Sequence, residues 1–478
     1  MPGHKAPRRS VRDPLLRALR PQPEPADDEL VKGHRGEGDL APSGTPQAGR
    51  TTVEEARRRG VMGWLQLLGP GLITGASDDD PSGIGTYSQV GSQFGYGLLW
   101  SALFTFPLMA AVQELCARIA LQTGVGLGVS LRRKFPTAVV GLAIAGLLIA
   151  NTINIGADLG AVAAGGSLIS GNRVSAIWLV APVALVIVGL QWYATYATIF
   201  NVFKWLTVAL FAYVVTAFFV HPVLLDVVRG TLVPHVELSR DFVTALVAVL
   251  GTTISPYLFF WQASSEVDEL RAAGKATESG RRGVRRAEMT AARVDIVIGM
   301  FFSQLVMYFI ILTSAAVLHA HGKTQVQTAA QAAAALSPLA GPFAFLVFAL
   351  GMIGAGLLAM PILAASATYA LKEFLGFTGS LASRPRYRPT FYLILTAATA
   401  AGVAMNFMHL DPIRALFWTA VINGVVAPPL LVLIVLLGAD RGVMGKRVSG
   451  RLSLTLSWIA TASMIIAALV MLATMIVH

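Results

Sequence analysis

Ser77-Asp78-Asp79-Asp80-Pro81-Ser82-Gly83-Ile84-Gly85 lies inside an apolar segment that runs from about Trp64 to Leu99. Three consecutive carboxylates are costly there, because one charge at a bilayer centre costs roughly 2.5–3.5 kcal/mol even on the lenient insertion scale. Pro81 removes a backbone donor, and Gly83 and Gly85 weaken the helix further. A helix interrupted beside an acidic residue near mid-membrane makes a cation site, in which the carboxylate supplies the charge and the interrupted turn frees backbone carbonyls. Asp80, directly before the proline, is the first candidate ligand.

The composition agrees with a membrane setting. Of 478 residues, 55% are hydrophobic and 13% charged, against about 25% charged in a soluble domain. An all-α polytopic membrane protein is expected, since helices satisfy their own backbone in lipid. The single cysteine, Cys116, excludes an intramolecular disulfide. The net charge of +11 sits in the amino-terminal tail and in particular loops; that pattern reports membrane orientation, and no nucleic-acid partner is expected. Residues 1–60 are rich in Pro, Arg, Gly and acidic residues and poor in apolar runs, which predicts a disordered cytoplasmic tail. Lys5, Arg8, Arg9, Arg12, Arg17 and Arg20 in that tail are candidates for contact with anionic membrane lipid. No short apolar stretch follows the basic start, so no cleavable signal peptide is expected.

Residues 61–478 form the expected transmembrane domain. Eleven apolar runs are long enough to span, at about 64–91, 94–121, 137–166, 174–195, 198–220, 241–268, 289–318, 342–372, 390–408, 412–437 and 453–477. Alternating through them places Arg132–Lys134, the basic run from Arg271 to Arg286, the loop from Lys372 to Arg388 and the loop from Arg441 to Arg451 on one side. Positive residues favour the cytoplasm. The expectation is therefore a multi-pass protein of the cell (inner or plasma) membrane, with its amino end inside and its carboxyl end outside. Five spans per half make the second half enter from the opposite face, an inverted repeat over about 62–220 and 241–438, with 453–477 as an extra span. That plan predicts a second break, and the sixth span supplies Gly251-Thr252-Thr253-Ile254-Ser255-Pro256-Tyr257. The oligomeric state is left open, a monomer being sufficient for this plan.

These two interrupted spans resemble those of the Nramp family of divalent-metal transporters. Gly69-Pro70-Gly71-Leu72-Ile73 followed by Asp80-Pro81-Ser82-Gly83 is similar to the family's first span and its Asp-Pro-Gly-Asn motif. Gly251 to Tyr257 is similar to its sixth span, with the motif Met-Pro-His. Gln113-Glu114 with Arg118 and Thr123-Gly124 matches the end of the second span, and Asp158 an acidic position of the third. The resemblance covers about residues 62–475. It implies the LeuT-type fold of ten spans plus one, alternating-access transport, no catalytic residues and no cofactor, the metal ion being the substrate.

The departures from the family pattern shape the expected site. Gly83 stands at the family's asparagine, Ser255 at its methionine and Tyr257 at its histidine, and Ala161 at a glutamate that follows Asp158. With the soft thioether gone, the ligands left are oxygens: the Asp80 carboxylate, the Ser255 hydroxyl, and backbone near Gly83, Thr252 and Thr253. Oxygen suits Mg²⁺, Mn²⁺ or Ca²⁺, and the smaller residues enlarge the cavity for an ion that keeps waters. The sequence thus resembles a divergent Nramp-related, magnesium-transporting branch. Histidine titrates near neutral pH and tyrosine does not, so weak or absent proton coupling is expected.

Other polar residues have competing readings. Asp80 is also a good N-cap for the half-helix after it. Asp78, Asp79, Ser82, Tyr257, Asp158, Gln304 and Asn423 are assigned to the pathway or its gating. Asp78 and Asp79 are alternatively partners of Arg118; Asp158, of a buried base; Gln304 and Asn423, of neighbouring helices. Asp295 is read as an ion pair with Arg293, and Glu114 with Arg118 as a mutual salt bridge. Two other functions compete: a LeuT-type carrier of an organic solute, and a Mg²⁺-dependent intramembrane enzyme. Three carboxylates would repel an acidic solute. The enzyme needs a second acidic motif facing the first, for which Glu266, Asp268 and Glu269 are the nearest candidates.

Overall fold

The computed structural model describes residues 57–60, 63, 69–193, 208–275, 277–283, 285–377, 379–381, 385, 388–408 and 411–477. The expected tail with its basic lipid contacts, apart from 57–60, and the first half of the fifth expected span lie outside the described residues. Among the described residues there is no strand.

The first span is two helices, α1 (Pro70–Asp78) and α2 (Pro81–Phe94). Next come α3 (Trp100–Thr123), α4 (Leu127–Lys134), α5 (Thr137–Ile169), α6 (Ala176–Tyr193), α7 (Ala212–Val220) and α8 (Leu224–Leu232). The second half opens with another divided span, α9 (Arg240–Thr253) and α10 (Pro256–Ala272). It continues through α11 (Arg286–Val317), α12 (Ala344–Leu375), α13 (Pro389–Asn406), α14 (Pro412–Ala439) and α15 (Arg451–Val477). Among the described residues, eight of the eleven expected spans are helices long and apolar enough to cross a membrane, counting α9 and α10 as one. The first is divided into helices of 9 and 14 residues, the fifth is represented by the short α7, and the ninth, α13, has 18 residues but is less apolar.

Both breaks have the same local cause. A residue before proline is pushed out of the helical region, and proline itself cannot donate to the preceding turn. Asp79 (φ −82°, ψ 50°) and Asp80 (φ −70°, ψ 169°) leave the helix before Pro81. Ile254 (φ −105°, ψ 58°) and Ser255 (φ −72°, ψ 129°) do so before Pro256. Each break is thus two residues long, with the same order of conformations and a proline opening the next helix. Such a match is what two related halves would produce.

The rest of the bundle frames these four half-helices. The 33-residue α5 packs against α6, α12, α13 and α14. On the other side α11 runs along α1, α2 and α3, while α15 lies against α3 and α14. Leu142, Leu185 and Phe218 stay exposed on the outside of α5, α6 and α7, as lipid-facing positions do. At one end the expected basic loops meet: Arg132 donates to the Phe374 carbonyl, Arg133 pairs with Glu278, and Lys134 pairs with Asp440.

The position of α1 is fixed from α11. Asp295 of α11 is not the simple partner of Arg293 that its sequence neighbourhood suggests. Its carboxylate accepts the backbone N–H groups of Gly69 (2.9 Å), Gly71 (2.8 Å) and Leu72 (3.0 Å). These are orphan donors at the start of a helix, where a negative charge also meets the positive end of the helix dipole. Arg293 instead reaches Glu114 at 3.1 Å. Below Asp295 the two backbones touch: a Cβ on Gly75 would lie 2.2 Å from the Gly299 carbonyl oxygen. Gly75→Val therefore forces α1 off α11 and is expected to destabilise the protein by at least about 1–3 kcal/mol. Thermal unfolding of the purified protein in detergent reads this directly; Gly189→Ala, in open space on α6, leaves the unfolding temperature unchanged or slightly raised.

Candidate metal centre

Asp80 caps α2. Its Oδ1 accepts the Gly83 amide at 2.8 Å and the Ser82 hydroxyl at 2.6 Å. The other oxygen, Oδ2, accepts Asn154 Nδ2 of α5 at 3.0 Å. The capping reading and the ligand reading are compatible, because an ionised carboxylate offers about four acceptor positions and three are occupied. Asp80 is 1% exposed, and every hydrogen bond described here comes from a neutral donor.

Asp78 and Asp79 turn to α11, where the Ser303 hydroxyl donates to Asp78 Oδ2 at 2.6 Å and lies 3.3 Å from Asp79 Oδ1. Asp78 Oδ1 is buried without a hydrogen-bond partner. The expected alternative, a pairing of these carboxylates with Arg118, is not what forms. Arg118 donates through Nε to Glu114 at 2.9 Å, its neighbour one turn back on α3, and Ser453 of α15 donates to the same carboxylate. Asp158, fully buried, has no basic partner among the described contacts; Asn154 Nδ2 reaches its Oδ2 at 3.2 Å. One amide thus bridges Asp80 and Asp158.

The second break approaches the first through hydroxyls. Ser82 Oγ and Thr252 Oγ1 are 3.4 Å apart, and Tyr257 donates to the Ser77 carbonyl at 2.7 Å. That carbonyl of the first break is therefore already taken. Ser255 covers two more at the second break, its hydroxyl lying 2.6 Å from Thr252 O and 3.0 Å from Gly251 O. Gly83 contributes its amide to Asp80 rather than a carbonyl to the site. Thr253 Oγ1 sits 3.3 Å from Tyr87 Oη and 3.7 Å from Met307 Sδ, so a thioether from α11 does lie near the second break, although none stands at position 255.

Gln304 faces α3, accepting from Thr105 at 2.9 Å and donating to Met109 Sδ at 3.0 Å. Asn423 is buried on α14 with neither side-chain atom hydrogen-bonded, beside Gly424, which packs on Val247 of α9. Sequence reasoning missed Ser303 and left Asn154 without a role, though Asn154 lies one helical turn before Asp158 on the same face. Of the second acidic motif, Glu266 accepts from Gln262 and Asp268 from Tyr369 and Arg271. Both carboxylates are thereby committed to side chains along α10 and α12. Among the described residues no three His, Cys, Asp or Glu side chains are grouped to enclose a metal. A cation at Asp80 would complete its shell from amide, hydroxyl, backbone or water oxygens.

Known proteins share this architecture. Residues 71–474 match the family described as Natural resistance-associated macrophage protein-like, Nramp. The chain is 27% identical over 405 residues to the divalent metal cation transporter MntH of Erwinia tasmaniensis, spanning 84% of this chain and 92% of that protein. It is 25% identical over 418 residues to MntH of Bacillus subtilis, spanning 87% and 92%. In three dimensions it is similar to the Eremococcus coleocola manganese transporter solved with an aromatic bis-isothiourea substituted compound, with a TM-score of 0.65, 18% identity and coverage of 91% and 90%. It is also similar to Mhp1, a nucleobase-cation-symport-1 family transporter, with a TM-score of 0.54, 15% identity and coverage of 91% and 95%. At such identities the two structures speak for the fold alone, the LeuT-type arrangement of divided first and sixth spans. The family match, which runs through nearly all of the helical bundle, makes this chain a member of the Nramp family, a multi-pass membrane transport protein and not an enzyme.

Proposed function

We propose that this protein carries a hard divalent cation, Mg²⁺ or Mn²⁺, across a cell membrane by alternating access, with the ion held at Asp80. The observation that carries the reading is a carboxylate buried at a helix break and hydrogen-bonded only by neutral donors. Such a charge is expensive to bury alone, and a cation is the natural complement. Its relatives are divalent metal cation transporters by name. The break's donors are oxygens from Asp80, Ser82 and Thr252, which favour hard ions. A Cβ at Gly83 would already meet the Tyr87 ring at 3.2 Å and the Thr252 hydroxyl at 3.4 Å, so an ion that retains water enters only when the site opens. Basic loops gathered at one end of the bundle support a cytoplasmic position for that end. In this orientation the divided spans, with α3 and α11, would rock against α5, α6, α12 and α13. The two halves, about 62–220 and 241–438, are the inverted repeats of that movement.

Uptake of Mg²⁺ and Mn²⁺ into proteoliposomes tests the reading. Both ions enter and compete, and Asp80→Ala abolishes both. Entry of Mn²⁺ alone, with no competition from Mg²⁺, would show that the oxygen-ligand argument misses a selective element such as Met307. No entry of either ion would sink the transport reading. Tyr257 and Ala161, in place of groups that titrate near neutral pH or carry charge, lead to a second expectation: metal uptake proceeds without acidification of the vesicle interior, which a trapped pH dye reports. Asp78 and Asp79 extend the negative charge of the pathway, and Ser303 holds both. Ser303→Ala leaves a buried carboxylate pair short of its shared donor and is expected to cost about 1–3 kcal/mol of stability, seen in thermal unfolding, whereas Ser303→Thr retains it.

A further inference from the structure

The bridge between Asp80 and Asp158 is an unusual use of an amide. Asn154 Nδ2 lies 3.0 Å from Asp80 Oδ2 and 3.2 Å from Asp158 Oδ2. All three side chains are at most 1% exposed. The two carboxylates belong to different elements, Asp80 to the first break and Asp158 to α5, and they converge on one point, the position that the NH₂ group occupies. An amide NH₂ is a weak positive pole. A divalent cation placed at that point would meet the same two oxygens with far more attraction. The other end of the amide is unspent: Asn154 Oδ1 is buried with no hydrogen-bond partner, and so is Asp158 Oδ1. An unsatisfied buried carbonyl is costly, so its retention beside two carboxylates points to a ligand that would use it.

We propose that Asn154 is a place-holder and ligand for the transported divalent cation. In the empty site its NH₂ bridges Asp80 and Asp158. When the cation arrives it takes the NH₂ position, and the amide turns about its terminal torsion, which is broad and roughly two-fold. The turn brings Oδ1 to the ion, directly or through one water. One rotation converts a donor to the carboxylates into an acceptor for the metal, and the ion gains oxygens from Asp80, Asp158 and Asn154 at once. This inference rests on the proposed transport function and assigns to that site a ligand and a second carboxylate from α5.

The test uses the purified full-length chain, with Mn²⁺ and Mg²⁺ as probes in binding titrations and in proteoliposome uptake. Asn154→Leu keeps the bulk and removes both donor and acceptor; the apparent affinity for each ion falls by about 10–100-fold, the range for lost groups around a metal. Asn154→Asp loses the donor but keeps an oxygen, and restores Mn²⁺ affinity to the wild-type value or better. An Asp variant as impaired as the Leu variant would show that Asn154 acts only as a donor that positions Asp80, and would overturn the proposal. So would a Leu variant with unchanged affinity. A wild-type structure determined with Mn²⁺ gives a readout that needs no variant to fold: Asn154 still donating to Asp80 beside the bound ion would equally overturn it. Asp80→Ala run in parallel separates the two levels. Wild-type uptake that needs Asp80 but is indifferent to Asn154 rejects only this inference, whereas absence of divalent binding by the wild type rejects the transport reading beneath it.

Discussion

A cluster of buried carboxylates held by neutral donors is the constraint on which this structure depends. The protein treats buried charge in two different ways. Glu114, on α3, is met by Arg118 and Arg293 and by the Ser453 hydroxyl, an arrangement in which charge cancels charge. Asp78, Asp79, Asp80 and Asp158 are met by Ser303, Ser82, Asn154 and a backbone amide. Dipoles orient a carboxylate without neutralising it. The first group meets opposite charge; the second meets only dipoles, in a buried setting where an unpaired charge is costly. The proposed cation would supply the charge that the second group lacks.

The frame that tolerates this charge comes from the breaks. Proline at the head of α2 and of α10 forces two residues out of the helix each time, and each departure aims side chains and carbonyls inward. Hydroxyl contacts between Ser82 and Thr252, and the Tyr257 bond to Ser77, then tie the two breaks to each other. Asp295 anchors the start of α1 to α11 through three backbone amides. The divided helices are accordingly held at their broken ends by hydrogen bonds and along their lengths by packing, so the interruption is a fixed feature and not a frayed one.

Much of this was legible in the sequence, and the limit is instructive. Proline after an acidic run in an apolar segment specifies a break by local sterics alone, and periodicity with loop charge specifies the spans. The Glu114–Arg118 pair follows from helical spacing of four. Ser303 was not legible as the partner of Asp78, nor Asp295 as the cap of α1, because each contact joins residues more than 220 positions apart. Nothing in the local pattern of α11 distinguishes a serine that holds a carboxylate from one that bonds its own backbone. Asp295 misled for a related reason: a nearby arginine in sequence suggests an ion pair, yet the helix turned Arg293 to Glu114 and Asp295 to α1. The carbonyls of the second break were expected to be open to an ion, and the Ser255 hydroxyl, which a sequence reading cannot orient, closes over Thr252.

The seam between α1 and α11 has a further consequence. Where Gly75 meets Gly299, and Gly71 meets the backbone around Ile296, no side chain intervenes. A file of water molecules needs space and polar partners along its length, and two backbones in contact offer neither. At these two points the contact between α1 and α11 is closed by the absence of side chains. Passage between the helices at Gly75 and Gly299 requires that the two backbones part.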